Sequence, residues 1–187
     1  QKIKENIAKL PKDKKIYISD TGNNRLVILD NQLKKIRTIS EFENNDNIDN
    51  FNHPGGIFVT EKEIFVADTD NSRIVILDKK GNLINEISAP KTAIKEGLFP
   101  EDIPFLPTKI GVDPFDRIYV TVRNNYEGIV VFEGDGTFAG FVGAPRVTPN
   151  PVDLFWRSIA TEKQRKRMAL FIPILYSNVY VDEKGFI

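Results

Sequence analysis

Two stretches of this sequence carry the same trio of hydrogen-bonding side chains: Asp20, Asn23 and Arg25, then Asp68, Asn71 and Arg73, 48 residues later. A carboxylate beside a guanidinium tempts a catalytic reading. Turn chemistry accounts for the trio more simply. Asp and Asn side chains bond nearby backbone in turns, and an Arg on the following strand braces the Asp with a charge-assisted bond. On that reading Asp68→Ala costs about 1 kcal/mol or somewhat more, the loss of a charged turn hydrogen bond.

A third copy departs from the pattern. Thr121-Val122-Arg123-Asn124-Asn125-Tyr126-Glu127-Gly128 has no Asp at the expected place and offers Arg, Tyr and Glu instead. A repeat that breaks its own rule is a candidate for diversion to a ligand, so Arg123, Asn124, Asn125, Tyr126 and Glu127 are candidate binding residues. The single histidine, His53, stands before Pro54 and is a further ligand or partner candidate. Trp156 either packs an inserted helix onto the body or anchors a partner. The acidic stretch 41–49 offers Asn and Asp oxygens, so calcium is conceivable there, although no EF-hand spacing is present. No other cofactor is indicated.

Several chemistries are excluded outright. There is no cysteine, hence no disulfide, thiolate metal site or cysteine nucleophile. One histidine cannot supply two imidazoles to a zinc ion. Neither a phosphate-binding Gly-x-x-x-x-Gly-Lys loop nor a Gly-x-Ser-x-Gly elbow occurs. With 26 basic and 26 acidic side chains the formal net charge is zero, which argues against nucleic acid and anionic membranes as partners. No stretch approaches the roughly 20 apolar residues of a transmembrane segment, and no export signal is visible in the Lys-rich first residues.

The elements that must position these side chains are short strands. Runs rich in Ile, Val, Tyr and Phe alternate with Gly, Asn and Asp turns. In the second copy, strands are expected near 56–60, 64–67, 73–77 and 83–87. The first copy's strands fall near 16–19 and 26–29, and the third copy's near 118–121 and 129–132. A period near 48 residues with four strands per copy fits the blades of a β-propeller. A partial fourth copy spans 172–182, matching 103–113. The fold class is therefore all-β: a propeller of four-stranded antiparallel blades near 1–40, 55–88, 108–143 and, in part, 177–187. A helical insert is expected at 150–172, started by Asn150-Pro151. Its Lys163, Arg165, Lys166 and Arg167 read as a solvated basic face.

The Asp-x-x-Asn-x-Arg turn, the Ile-Tyr-Val-Ala type of strand before it, and Pro54-Gly55-Gly56-Ile57-Phe58-Val59 together resemble the NHL-repeat family of β-propellers, of six-bladed bacterial type. The likeness covers most of 16–143 and resumes at 172. It implies a scaffold with many roles, exported or tethered to a bacterial surface; the Lys-, Ile- and Asn-rich composition fits an AT-rich bacterial genome.

In such a blade the links after the first and third strands share one face, and those after the second and fourth share the other. All the long segments, 41–54, 89–107 and 143–172, fall on the second face, where binding is expected. With no catalytic constellation in the motifs, a non-enzymatic scaffold for a protein partner is expected. The alternative is a metal-assisted hydrolase, lactonase or lyase, with its site at the channel mouth and completed by further blades. About three and a half copies fall short of the roughly four to eight blades that close a propeller. Self-association through open blade edges is therefore expected, with Val179, Tyr180, Val181, Phe186 and Ile187 uncovered.

Overall fold

The computed structural model describes residues 14–97, 99, 101, 104–123, 128–143 and 176–182. The first sheet holds β1 (Ile16–Asp20), β2 (Arg25–Leu29) and β3 (Lys35–Ile39). A two-stranded hairpin follows, β4 (Glu41–Asn44) with β5 (Asn47–Asn50). The second sheet is complete in four strands, β6 (Pro54–Val59), β7 (Glu63–Asp68), β8 (Arg73–Asp78) and β9 (Leu83–Ser88). After the short helix α1 (Lys91–Lys95) comes the third sheet, with β10 (Pro107–Val112), β11 (Ile118–Val122), β12 (Ile129–Phe132) and β13 (Phe138–Val142). Each of these three sheets is an antiparallel meander in chain order, the blade architecture expected from the repeat. Among the described residues the sheets do not close into a ring. No helix among them is long and apolar enough to cross a membrane.

Burial explains why the strands read as they do. β8 is apolar on successive residues because the second sheet is covered on both faces, and Ile74, Val75 and Leu77 are wholly buried. One apolar seam, with Leu26, Ile28, Ile64, Val66 and Leu77, joins the first sheet to the second. Another, with Ile74, Ile76, Ile110, Val120 and Phe132, joins the second to the third. Each such side chain contributes about 1.5–3 kcal/mol on burial. Among the described residues only one face of the first sheet is covered by another sheet, and Ile18 and Ile36 stay 42% and 47% exposed.

Three expectations change. The acidic stretch 41–49, expected within the long link 41–54, forms most of a β-hairpin over 41–50 whose Phe42 is buried against Phe51, with ring centroids 5.2 Å apart. The link 89–107 contains α1. Val181, expected to lack cover, is buried against Tyr119, Ile129 and Val131, while Tyr180 points away and is exposed. The inserted helix expected at 150–172, the chain before residue 14 and the stretch 183–187 lie outside the described residues.

The sheets meet closely at their first strands. A Cβ on Gly56 would lie 2.7 Å from the Lys109 Cα, and one on Gly111 would lie 2.9 Å from Val181 Cγ2. Glycine is therefore a packing requirement where one inner strand crosses the next. Threonine hydroxyls stitch the same seam: Thr21 Oγ1 donates to the Pro54 carbonyl at 2.7 Å and Thr69 Oγ1 to the Pro107 carbonyl at 2.6 Å. Sequence reading passed over both residues, although each follows the repeated Asp.

Candidate functional site

The long-segment face is organised around one guanidinium. β7 ends at Asp68, a turn of 3-10 helix spans Thr69–Asn71, and Ser72 takes a left-handed conformation that turns the chain into β8. This puts Arg73 beside Asp68, with Nε donating to Asp68 Oδ2 at 2.9 Å. Asn71 Nδ2 donates to the same oxygen at 2.9 Å, and the Asn52 backbone N–H donates to Asp68 Oδ1 at 2.7 Å. The Asp68 side chain is fully buried and that of Arg73 is 10% exposed.

The guanidinium reaches further than its own turn. Nη1 and Nη2 clasp Asp49 of β5 at 2.6 and 2.9 Å, Nη1 also donates to Glu86 Oε2 of β9 at 3.0 Å, and Nη2 to the Asn50 carbonyl at 3.1 Å. Its Cζ lies 5.5 Å from the centre of the Phe42 ring. One buried cation thus ties the hairpin to the second sheet, and every donor faces an oxygen, as a desolvated charge requires.

The equivalent turn in the first sheet is a simpler brace. Asp20 accepts Asn23 Nδ2 at 2.9 and 3.0 Å and Arg25 Nε at 2.8 Å, with the Asp20 and Arg25 side chains 27% and 43% exposed. The expectation that these trios hold their own turns is met in both sheets. In the second, the trio also anchors a separate element, so the modest cost expected for Asp68→Ala is too low. That value assumed a solvated turn, whereas this carboxylate is buried and serves three donors.

The Arg73 guanidinium, helped by Asn44 and the Asn50 backbone N–H, outweighs burial and holds the Asp49 carboxyl at about 2, below the ordinary aspartate value of about 3.9. Because the folded-state pKa is depressed, the stabilisation is complete above the ordinary value. It is lost as pH falls through the folded one. Stability is expected to drop by up to about 2 kcal/mol between roughly pH 4 and pH 2 through this group. Denaturant titrations across that range check it: Asp49→Asn should remove this component and flatten the profile.

His53 sits on the same face at the junction of the first two sheets. Its backbone takes a positive φ of 48°, and its N–H donates to Asn24 Oδ1 at 2.8 Å. Its Nδ1 lies 2.9 Å from Asp70 Oδ2 and 3.1 Å from Asn52 Oδ1, with the side chain 55% exposed. The backbone of His53 is thus held by the first-sheet turn and its ring by Asp70 of the second-sheet turn and by Asn52. Arg123 is exposed at the end of β11, where its backbone N–H donates to the Leu106 carbonyl at 2.9 Å. Val122, standing where the other copies have Asp, is buried, so the third sheet has an apolar contact in place of the brace. Asn124, Asn125, Tyr126, Glu127 and Trp156 lie outside the described residues. The structure thus brings His53 together with the Asp68–Arg73 turn and leaves Arg123 apart, on the third sheet.

Hairpin residues Asp49 and Ile48 were missed as individuals, because nothing in 41–50 repeats elsewhere in the chain. Alternation of Phe42 with its polar neighbours was the one signal for a strand. Asp113 was also missed. It is buried and accepts the Phe115 and Arg117 backbone N–H groups, Arg117 Nε at 2.8 Å and the Tyr119 hydroxyl at 3.0 Å. Burial raises its pKa, but these donors together hold it below the ordinary value. All its partners are local, so it fixes the β10–β11 turn. Among the described residues no three His, Cys, Asp or Glu side chains are placed to hold a metal ion.

No protein-family model matches the chain, and no curated protein matches it in sequence. Solved structures do. Hydrazine synthase of Kuenenia stuttgartiensis superposes with a TM-score of 0.51 at 15% identity, over 72% of this chain and 34% of that one. Virginiamycin B lyase of Staphylococcus aureus gives 0.49 at 14% identity, over 73% of this chain and 40% of that one. A streptogramin B lyase gives 0.46 at 19% identity, over 69% and 37%. The chain has the β-propeller fold. It spans about a third to two fifths of the length of these proteins.

Proposed function

We propose that this chain is part of an NHL-type propeller that acts as a non-enzymatic binding scaffold, and that its ligand is a protein held on the long-segment face. The observation that carries the reading is the hairpin β4–β5. It presents Ile48 at 66% exposure on a strand whose neighbour Asp49 is clasped by a buried arginine. An apolar, solvent-facing side chain on a paired strand, with Glu43 opposite it in the hairpin register, loses less entropy on binding than one on a loop, which is what preorganisation contributes to affinity. His53, on the same face, supplies a polar side chain held by Asp70 and Asn52. The export or surface location implied by the NHL resemblance places such a face towards extracellular proteins.

A photoreactive side chain at position 48, introduced in the host cell, tests the reading. A discrete protein adduct is expected, absent when the same group replaces solvent-facing Glu61 on the opposite face. Ile48→Asp should change unfolding free energy by no more than about 0.5 kcal/mol and abolish that partner's binding. Equal adducts from both positions, or partner binding unchanged by Ile48→Asp, would overturn the proposal.

A second reading, a hydrolase, lactonase or lyase acting at the channel mouth, has one observation in its favour. A cleft of about 500 Å³ opens between the inner strands, with Ser19, Lys109, Asn178 and Tyr180 among its lining residues. Turnover of a lactone or ester by the chain in its native assembly, lost on Lys109→Ala, would favour it over the scaffold.

A further inference from the structure

The chain contains a docking contact that is filled at one seam and open at the next. At the first seam, Arg37 of β3 crosses to the β8–β9 turn of the second sheet. There Nη1 donates to the Lys80 carbonyl at 2.7 Å and Nη2 to the Lys79 carbonyl at 2.8 Å. Gly81, with φ 92°, lets the turn approach: a Cβ there would lie 3.2 Å from Ile39 Cδ1 and 3.7 Å from Arg37 Nη2.

The second seam repeats the framework. Ile87 takes the place of Ile39, and Gly136, with φ 88°, takes that of Gly81, its virtual Cβ 3.0 Å from Ile87 Cγ1. The turns match bond for bond. Asp78 N–H donates to the Asn82 carbonyl and Glu133 N–H to that of Thr137, while Gly81 N–H donates to the Asp78 carbonyl and Gly136 N–H to that of Glu133. Gly134 and Asp135 therefore stand where Lys79 and Lys80 stand.

The arginine is missing. Its position in β9 is held by Asn85, whose Oδ1 accepts the adjacent Glu86 backbone N–H at 2.8 Å. Among the described residues nothing donates to the Gly134 or Asp135 carbonyls. A groove of about 590 Å³ opens beside Asp135 and Gly136, lined by the apolar Ile87, Ala93 and Phe138 and by the carboxylates of Glu86, Glu96 and Asp135, with Lys91 as the one cation among its described lining residues.

We propose that this groove is the docking site for an arginine side chain presented by a partner protein. The guanidinium bonds the Gly134 and Asp135 carbonyls as Arg37 bonds their counterparts, and its neighbours on the partner cover the apolar lining. Arginine is chosen over lysine because two adjacent carbonyls match its planar fork, whereas an ammonium offers a single point charge. The excess of carboxylate at the rim favours a cation. The inference rests on the reading of the chain as a protein-binding scaffold and adds a site and a side chain to it.

The test uses a labelled acetyl-Gly-Leu-Arg-Leu-Gly-amide peptide and its lysine and citrulline counterparts, followed by fluorescence anisotropy and by amide shifts of residues 134–137. The arginine peptide should bind at least about tenfold more tightly than citrulline, the factor expected from one charge-assisted bond, and should move those amides. Asn85→Arg supplies the guanidinium from within the chain, so it should raise the melting temperature and abolish peptide binding. Glu96→Lys, at an exposed position, should weaken binding with no change in melting. Equal binding of the arginine and citrulline peptides, or full binding by Asn85→Arg, would overturn the site. Neither result touches the hairpin: capture through Ile48 that survives in Asn85→Arg leaves the scaffold reading standing and sinks the groove alone.

Discussion

Arg73→Ala is expected to destabilise the chain by about 3–5 kcal/mol, the range for removing one partner of a buried ion pair. Two consequences add. Asp68, fully buried, keeps the Asn52 and Asn71 donors but loses its counter-charge. Asp49 and Glu86 lose the cation that holds β5 to β9. Urea unfolding monitored by the tyrosine and tryptophan signal measures the global loss, and hydrogen exchange on β4–β5 measures the local one. Asp68→Ala should approach the same value, because it strands the Asn52 N–H and one face of the guanidinium together. Arg25→Ala provides the internal comparison. That pair is partly solvated, and its loss should stay near 1 kcal/mol or below. Equal effects at positions 25 and 73 would show that burial and the reach to the hairpin contribute nothing.

Gly56→Val is expected to cost about 3 kcal/mol, at the upper end of ordinary overpacking. The first added carbon meets backbone on three sides: Lys109 Cα at 2.7 Å, and Ile110 N and the Thr108 carbonyl oxygen at 3.0 Å. Backbone cannot rotate away as a side chain can, so β6 and β10 must separate and open the inner end of the seam. Gly22→Ala is the control, since nothing lies within 4 Å of its virtual Cβ, and it should stay within about 0.5 kcal/mol of the parent. Thermal unfolding of the three proteins decides the point. A Gly56→Val protein that melts with the Gly22→Ala control would mean that the inner strands are not in close contact.

The blade was legible in the residues alone because its determinants are local and recur. Ile64-Phe65-Val66-Ala67 and Ile74-Val75-Ile76-Leu77 are strand-forming on both faces, and Asp68, Asn71 and Arg73 fold back on one another within a single turn. Side chains that interact over three to five positions leave a signature in any copy, and a second copy removes the ambiguity. The assignment of long segments to one face followed from counting strands. What the tertiary structure decided is where the copies differ. Nothing around Asp49 repeats, so only folding could show that it meets an arginine 24 residues away, or that the acidic stretch is a hairpin. The size of the Asp68 effect depended on solvent access, which one sheet shares with its neighbours and no sheet sets for itself. Arg37 and Asn85 occupy the same place in the repeat and look like ordinary surface variation. Their difference acquires meaning only when the following sheet brings two carbonyls to within reach of one and leaves the other's groove open.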